Sequence, residues 1–235
     1  MKVVGIVGYK KSGKTTLGLR LSKELSDMGY RVGVLKHVSE KIDYADTDTS
    51  KYKSQVPLVV AVSQEEAEII LKGEKGVDEM LKYFDSDIVL VEGFKAEKTF
   101  PKVVCLREEG EKRELLDGLE LFTASFKQGI SDFEIGNEAH VKRMAAVVME
   151  RGFKLPNLSC TRCGYASCFE LAREIVRGKE SVEQCASLSP SISVKIDGHE
   201  YPLNHYTSAL FKNIVMAMVS SLKGFRKGTI QIEIP

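Results

Sequence analysis

Through the first 150 positions, hydrophobic residues fall in short, nearly unbroken runs separated by stretches with helical spacing. Lys2–Val7, Arg31–Lys36, Leu58–Val62, Asp87–Glu92, Lys102–Leu106 and Leu119–Ser125 are apolar or β-branched, as buried strands are. Between them, Lys14–Met28 (closed by Gly29), Val77–Phe84 and Glu138–Arg151 read as helices. Leu17, Leu19, Leu21 and Leu25 mark the first of these, and Val141, Ala145, Val148 and Met149 one face of the last. The Glu-rich segment from Gln64 to Leu71 reads as a helical turn or two, and His37 to about Gln55 as a polar loop. Apolar strands alternating with helices predict an α/β fold, a mostly parallel sheet covered by helices on both faces. In such folds ligands sit at the carboxyl ends of the strands.

The pattern changes after Gly152. Residues 153–190 hold four cysteines around a short helical segment, Phe169–Val176. The remainder, 191–235, predicts a small ββαβ unit. Ile192–Ile196 alternates as a strand, Asp197-Gly198 is a tight hairpin signal, and the return ends at Tyr201-Pro-Leu. Asn204 is placed to cap a helix whose Leu210, Ile214, Val215, Met218 and Leu222 recur on one face. That face reads as a core stripe rather than a partner groove. Thr229–Ile234 forms the last strand. The expected division is a nucleotide-binding domain at 1–152, a four-cysteine domain at 153–190 and an α+β region at 191–235.

The first strand and helix enclose the most informative chemistry. They flank Gly8-Tyr-Lys-Lys-Ser-Gly13-Lys14-Thr15, a Gly-x-x-x-x-Gly-Lys-Thr phosphate loop in its proper strand–loop–helix setting. Backbone N–H groups of such a loop curl around an anion, and the helix N-terminus adds its dipole. Gly8, Lys10, Lys11, Ser12, Gly13, Lys14, Thr15 and Thr16 are the candidate nucleotide-binding residues. Lys14 reaches the β- and γ-phosphates, and the Thr15 hydroxyl takes a Mg²⁺ position. The chain is therefore expected to bind a nucleoside triphosphate with Mg²⁺. An acid at the end of a neighbouring apolar strand completes such a site, and Glu92, followed by Gly93, is the candidate metal-side and catalytic acid beside Lys14. Gly93 would let the backbone come close to a phosphate. Asp87 begins the same strand and belongs at the opposite edge of the sheet. Asp43, Asp46, Asp48, Thr49 and Ser50 lie in the polar loop, a candidate switch segment. No Asn-Lys-x-Asp or Thr-Lys-x-Asp base-reading sequence is present, so GTP and ATP stay open on the motifs.

Composition narrows the context modestly. The 235 residues carry a formal net charge of +1, which gives no reason to expect nucleic acid or a membrane surface as partner. No apolar run approaches the ~20 residues of a membrane span, and a cytoplasmic protein is the default expectation. Of five cysteines, Cys105 lies alone in Val103–Leu106 and reads as a small buried strand residue. Cys160, Cys163, Cys168 and Cys185 cluster instead. Four thiolates suit a [4Fe–4S] cluster or a structural Zn²⁺. The three-plus-one spacing, with the last ligand alone after a helix, favours the cluster over paired zinc knuckles.

Two family resemblances follow from these residues. Gly8–Thr16, Val34–His37, Asp48-Thr49 and Val89–Lys95, whose Val91-Glu-Gly-Phe-Lys95 is the most specific piece, resemble molybdopterin-guanine dinucleotide biosynthesis protein B (MobB). The resemblance covers residues 1 to about 150. It implies a homodimeric P-loop GTPase that assists the attachment of GMP to molybdopterin, with a molybdopterin-guanylyltransferase or a molybdo- or tungsto-enzyme as partner. It also implies that Lys14 and Thr15 bind phosphate and Mg²⁺, while Asp48 and Glu92 serve the metal side. Lys10 and Lys11 stand where the family has small residues. Cys163-Gly-Tyr-Ala-Ser-Cys168 through Cys185, with its Leu-Ala-x-x-Ile-Val-x-Gly helix, resembles the four-cysteine iron–sulfur domain of corrinoid proteins and electron-transport subunits. Competing readings are a small-molecule kinase and a nucleotide-gated electron-transfer or metallocentre-assembly module.

Overall fold

A computed structural model describes residues 1–38, 48–188, 192, 194–196, 199–201, 203 and 205–225. The chain divides into two compact units, Met1–Lys154 and Leu155–Pro235. In the first, β1 (Lys2–Gly8) leads into α1 (Lys14–Asp27), then β2 (Val32–Lys36), α2 (Asp48–Gln55) and a hairpin of β3 (Leu58–Val62) and β4 (Ala67–Leu71). After α3 (Val77–Met80) and a 3₁₀ turn come β5 (Ile88–Glu92), β6 (Lys102–Leu106), α4 (Lys112–Leu115), β7 (Glu120–Ser125), β8 (Phe133–Glu134) and α5 (Glu138–Arg151). Six strands make one sheet in the order β2-β5-β1-β6-β7-β8, and every pairing in it is parallel.

A parallel sheet needs cover on both faces, because its crossovers place helices there. The alternation inside β1 provides for both. Val4 and Ile6 pack with Leu17, Leu21 and Leu25 of α1 and with Val141, Met144, Ala145 and Val148 of α5. Val3 faces the other way, into Val77, Leu81, Val89, Val91 and Phe100, and Val7 meets Val104, Leu106 and Leu115. Leu17, Leu21 and Leu25 are fully buried at four-residue spacing, whereas Leu19 is exposed. The helical period, not the count of leucines, selects the buried face.

Two expected elements differ. The segment ending at Leu71 is not helical: Ala67–Leu71 pairs antiparallel with Leu58–Val62, with Val60 opposite Ile69. The Ser63 hydroxyl accepts the Glu65 and Glu66 N–H groups (3.2 and 3.0 Å), and this local turn outweighs the helix propensity of the glutamates. The end of the expected polar loop is helical, as α2. Two short elements, α4 and β8, have too little apolar pattern to stand out in the sequence.

In the second unit, α6 (Cys168–Val176) is capped by Ser167, whose side chain accepts the Glu170 N–H, and ends at Gly178 with φ 73°. It buries Cys168, Leu171, Ala172 and Val176. β9 (Val194–Ile196) pairs antiparallel with β10 (His199–Tyr201), and α7 (His205–Ser220) follows. The predicted stripe on α7 is not core: Leu210, Ile214, Met218 and Leu222 are exposed. The Asp197-Gly198 turn, the Asn204 cap and the Thr229–Ile234 strand lie outside the described residues.

Candidate functional site

The parallel register builds the site. Ile6 of β1 and Lys36 of β2 both pair with Glu92 of β5, so three strand ends and the N-terminus of α1 meet at one edge. Asp87 lies at the opposite edge, bonded to Arg31, as the strand direction requires. Between β1 and α1, residues 9–13 form the loop. Lys11 (φ 64°) and Gly13 (φ 93°) take left-handed backbone conformations, and a Cβ on Gly13 would lie 2.8 Å from Phe126 and 2.9 Å from Ile135. A Cβ on Gly8 would meet Ser12 Oγ at 2.4 Å and Cys105 O at 2.5 Å. The loop has no room for side chains at either glycine.

Within this cradle Lys14 Nζ donates to Tyr9 O (2.6 Å), and burial pulls its pKa below the ordinary lysine value. The Ser12 hydroxyl is buried and has no hydrogen-bond partner among the described residues. A cation drawn partly out of water, an unpartnered buried hydroxyl and a helix N-terminus form a donor set that fits a phosphate chain. Lys11 through Thr16 and Phe126 line the adjoining cleft. Thr15 Oγ1 donates to Glu92 Oε1 (2.8 Å), so the hydroxyl and the carboxylate expected on the metal side are already in contact. Two oxygens and adjacent phosphates match what Mg²⁺ accepts from a protein.

The other predicted residues fare unequally. Asp48 opens α2, but its side chain, like Asp43 and Asp46, lies outside the described residues. Lys10 and Lys11 are exposed. Gly93 has a left-handed backbone (φ 95°), and a Cβ there would lie 2.9 Å from His37 Cβ, so the turn after β5 has no room for a side chain. Sequence reasoning missed Tyr9, whose ring carries Lys95 Nζ at 3.9 Å and whose hydroxyl donates to Glu114. It also missed Lys102, a fully buried lysine that ties Lys95 O (2.9 Å) to Asp117 (2.8 Å) and so holds the loop after β5. Neither stands out in the sequence, because Tyr9 lies within the phosphate loop and Lys102 opens an apolar strand. Cys105 is buried behind the loop as expected, and burial pushes its thiol up to about 12.

In the second unit Cys160, Cys163, Cys168 and Cys185 line one recess with Pro156, Leu171 and Ser187. All four are free thiols. Ser159 N–H donates to Cys168 Sγ (3.3 Å), and Cys160 Sγ lies 3.5 Å from Ser187 Oγ. That hydrogen bond, together with the Arg162 backbone, lowers the Cys160 pKa, while burial raises that of Cys185. Arg162 Nη1 is buried with no hydrogen-bond partner among the described residues. Asn157, Ser159 and Thr161 all have positive φ (56°, 42° and 60°), the left-handed conformation that recurs in anion-binding nests. Among the described residues no three His, Cys, Asp or Glu side chains converge on a single-ion position. Four thiols around a recess, with donors aimed at sulfur, fit an iron–sulfur cluster.

Comparison with known proteins agrees with this geometry. Residues 3–124 match the family model described as "Molybdopterin guanine dinucleotide synthesis protein B", and residues 155–187 the model described as "Putative Fe-S cluster". The "Putative molybdopterin-guanine dinucleotide biosynthesis adapter protein" of Methanocaldococcus jannaschii is 27% identical over 244 residues, covering 100% of this chain and 97% of its own. The "Probable molybdopterin-guanine dinucleotide biosynthesis adapter protein" of Bacillus subtilis is 31% identical over 136 residues, 54% of this chain and 76% of its own. Among solved structures, Bacillus subtilis MobB superimposes with a TM-score of 0.53 at 21% identity, over 63% of this chain and 98% of that one. This last likeness speaks for the fold alone. With more than half of its length matched by the family model, the chain belongs to the molybdopterin guanine dinucleotide synthesis protein B family, and it carries in addition a segment that matches the iron–sulfur family model.

Proposed function

We propose that the protein is a GTP-binding, slowly hydrolysing adapter in molybdopterin-guanine dinucleotide biosynthesis, and that its second unit carries a [4Fe–4S] cluster. The observation that carries this reading is the 2.8 Å Thr15–Glu92 contact beside a phosphate loop whose Ser12 hydroxyl is buried and unpartnered among the described residues. Family membership supplies the biosynthetic context. In this reading the loop N–H groups and Lys14 hold the β- and γ-phosphates, Thr15 holds the Mg²⁺ side, and Glu92 orients the water that attacks the γ-phosphorus. Mg²⁺, when bound, neutralises charge developing on the phosphate oxygens. Asp48 joins the metal side on family resemblance. Four thiols around one recess, with the last ligand alone after a helix, support the cluster. The domain division at 1–152, 153–190 and 191–235 belongs to the same proposal.

The decisive measurement combines phosphate release from GTP and from ATP, with and without a molybdopterin guanylyltransferase, on anaerobically purified protein assayed for iron and sulfide. The expected result is slow GTP hydrolysis that changes when the transferase is added, and about four irons per chain, the count of the proposed cluster. Transfer of the phosphoryl group to a small acceptor would replace this reading with a kinase. Zinc in place of iron would remove the cluster.

A homodimer is part of the same proposal. A lone two-stranded hairpin is marginal in water, yet β3–β4 exposes Leu58, Val60, Val62 and Ile69 on one face. Such a face suits burial against a second copy. Val60→Asp is expected to convert the dimer to a monomer in sedimentation velocity, with the first unit still folded. An unchanged mass would remove the hairpin from the interface.

A further inference from the structure

One cation at the site is left unexplained by phosphate binding. Lys36 Nζ lies 3.2 Å from Glu92 Oε1 and 3.4 Å from Thr15 Oγ1, the same two oxygens that stand 2.8 Å apart on the metal side. Its place is built into the backbone: Lys36 and Glu92 are register partners in adjacent parallel strands, and His37 N–H closes the pairing on Glu92 O (2.8 Å). The two side chains therefore leave the same face of the sheet. The lysine of this pair is half exposed, although Glu92 is largely buried, and an ion pair open to water on one side adds little to folding. Stability does not account for an ammonium placed on the metal's ligands.

We propose that Lys36 is an ammonium latch that competes with Mg²⁺ for Thr15 and Glu92, so that the metal enters only together with a triphosphate. The inference rests on the reading of Thr15 and Glu92 as the metal pair. Mg²⁺ needs oxygens at about 2.1 Å, and a divalent ion that close to Thr15 Oγ1 would face the ammonium across a gap too short for two cations to share. For the metal to bind, Lys36 must swing away. Its stem has room to do so, since Lys36, Thr15 and Glu92 border a recess that Leu19, Ser22 and Val34 also line and that Gly18 leaves unfilled. A triphosphate relieves both costs at once. It brings anionic oxygens to the metal and offers the released ammonium a new partner. Metal without nucleotide meets only the cost. The latch thus makes Mg²⁺ occupancy report on nucleotide and keeps Glu92 neutralised otherwise.

The test is a Mn²⁺ titration, followed by the EPR signal of the free ion, on the full chain without nucleotide. Lys36→Met and Lys36→Gln are each expected to bind Mn²⁺ at least tenfold more tightly than wild type. With GTP present the gap should close to within about threefold. Lys95→Met removes a positive charge that stands over the Tyr9 ring, and it should leave nucleotide-free Mn²⁺ binding unchanged. Equal Mn²⁺ affinity of wild type and both Lys36 variants without nucleotide overturns the latch, as does equal tightening by Lys95→Met. Binding of a fluorescent GTP analogue to wild type, measured beside these titrations, tests the nucleotide reading independently. Its failure leaves the nucleotide-free comparison to decide the latch.

Discussion

Lys14→Met should lower affinity for a fluorescent GTP analogue by about 100-fold while leaving the fold as stable as before. The two halves of this expectation have different causes. Charge-assisted hydrogen bonds to phosphate are the strong ones, and removing one from a preorganised site costs about 3 kcal/mol, a factor of roughly 100. Folding gains nothing comparable from the same residue. Burial holds the Lys14 pKa below the ordinary lysine value. A lysine whose folded pKa is depressed is harder to keep charged in the folded chain, so its charge is a cost at neutral pH, one that fades as pH rises through the lowered pKa. Methionine keeps the apolar stem and discards that cost. Equilibrium denaturation beside the binding titration checks both halves. Affinity within threefold of wild type would take Lys14 out of the site, and a large loss of stability would mean the residue is structural.

Replacing Cys168 and Cys185 together by serine should abolish iron binding and open the second unit between about residues 155 and 188. Both thiols are buried, at 7% and 4% exposure. Cys168 is also the first residue of α6, so its Sγ position is fixed by the start of that helix. Little apolar core surrounds them: Leu171, Ala172 and Val176 are the buried side chains of α6 beyond Cys168. A segment this small is held mainly by its cofactor, and binding free energy at such sites is folding free energy. Iron and sulfide analysis should fall from the wild-type content to background. Amide exchange over α6 should rise toward the unprotected rate. Cys105→Ala, in the first unit, should change neither reading. Full iron content in the double variant would refute the four-cysteine assignment. Loss of iron without faster exchange would show that the cofactor does not hold the unit together.

Much of the site could be read in the chain because its signals are local. The phosphate loop is contiguous, and its flanking strand and helix follow from apolar periodicity, so Gly8 to Thr16 are found without tertiary information. Glu92 was legible because an acid ending an all-apolar run stands out. The four cysteines were legible by spacing. The β4 strand was not, because a Ser63-centred turn that reverses the chain outweighs what the glutamates favour as isolated residues. The α7 stripe was misread for the opposite reason, since periodicity reports an apolar face but not what covers it.

What the sequence determined by itself is therefore the class of fold, the phosphate loop, the strand-end acid and the thiol set, each encoded in residues near one another in the chain. The tertiary structure alone decided which strand lies beside which. The order β2-β5-β1 brings Lys36, Glu92 and Thr15 together from three separate segments. Strand order depends on long-range pairing and on which faces can be buried, and neither is written in any single stretch of residues. That is why Glu92 could be named from its own strand, while the lysine that competes for it became visible only across the sheet.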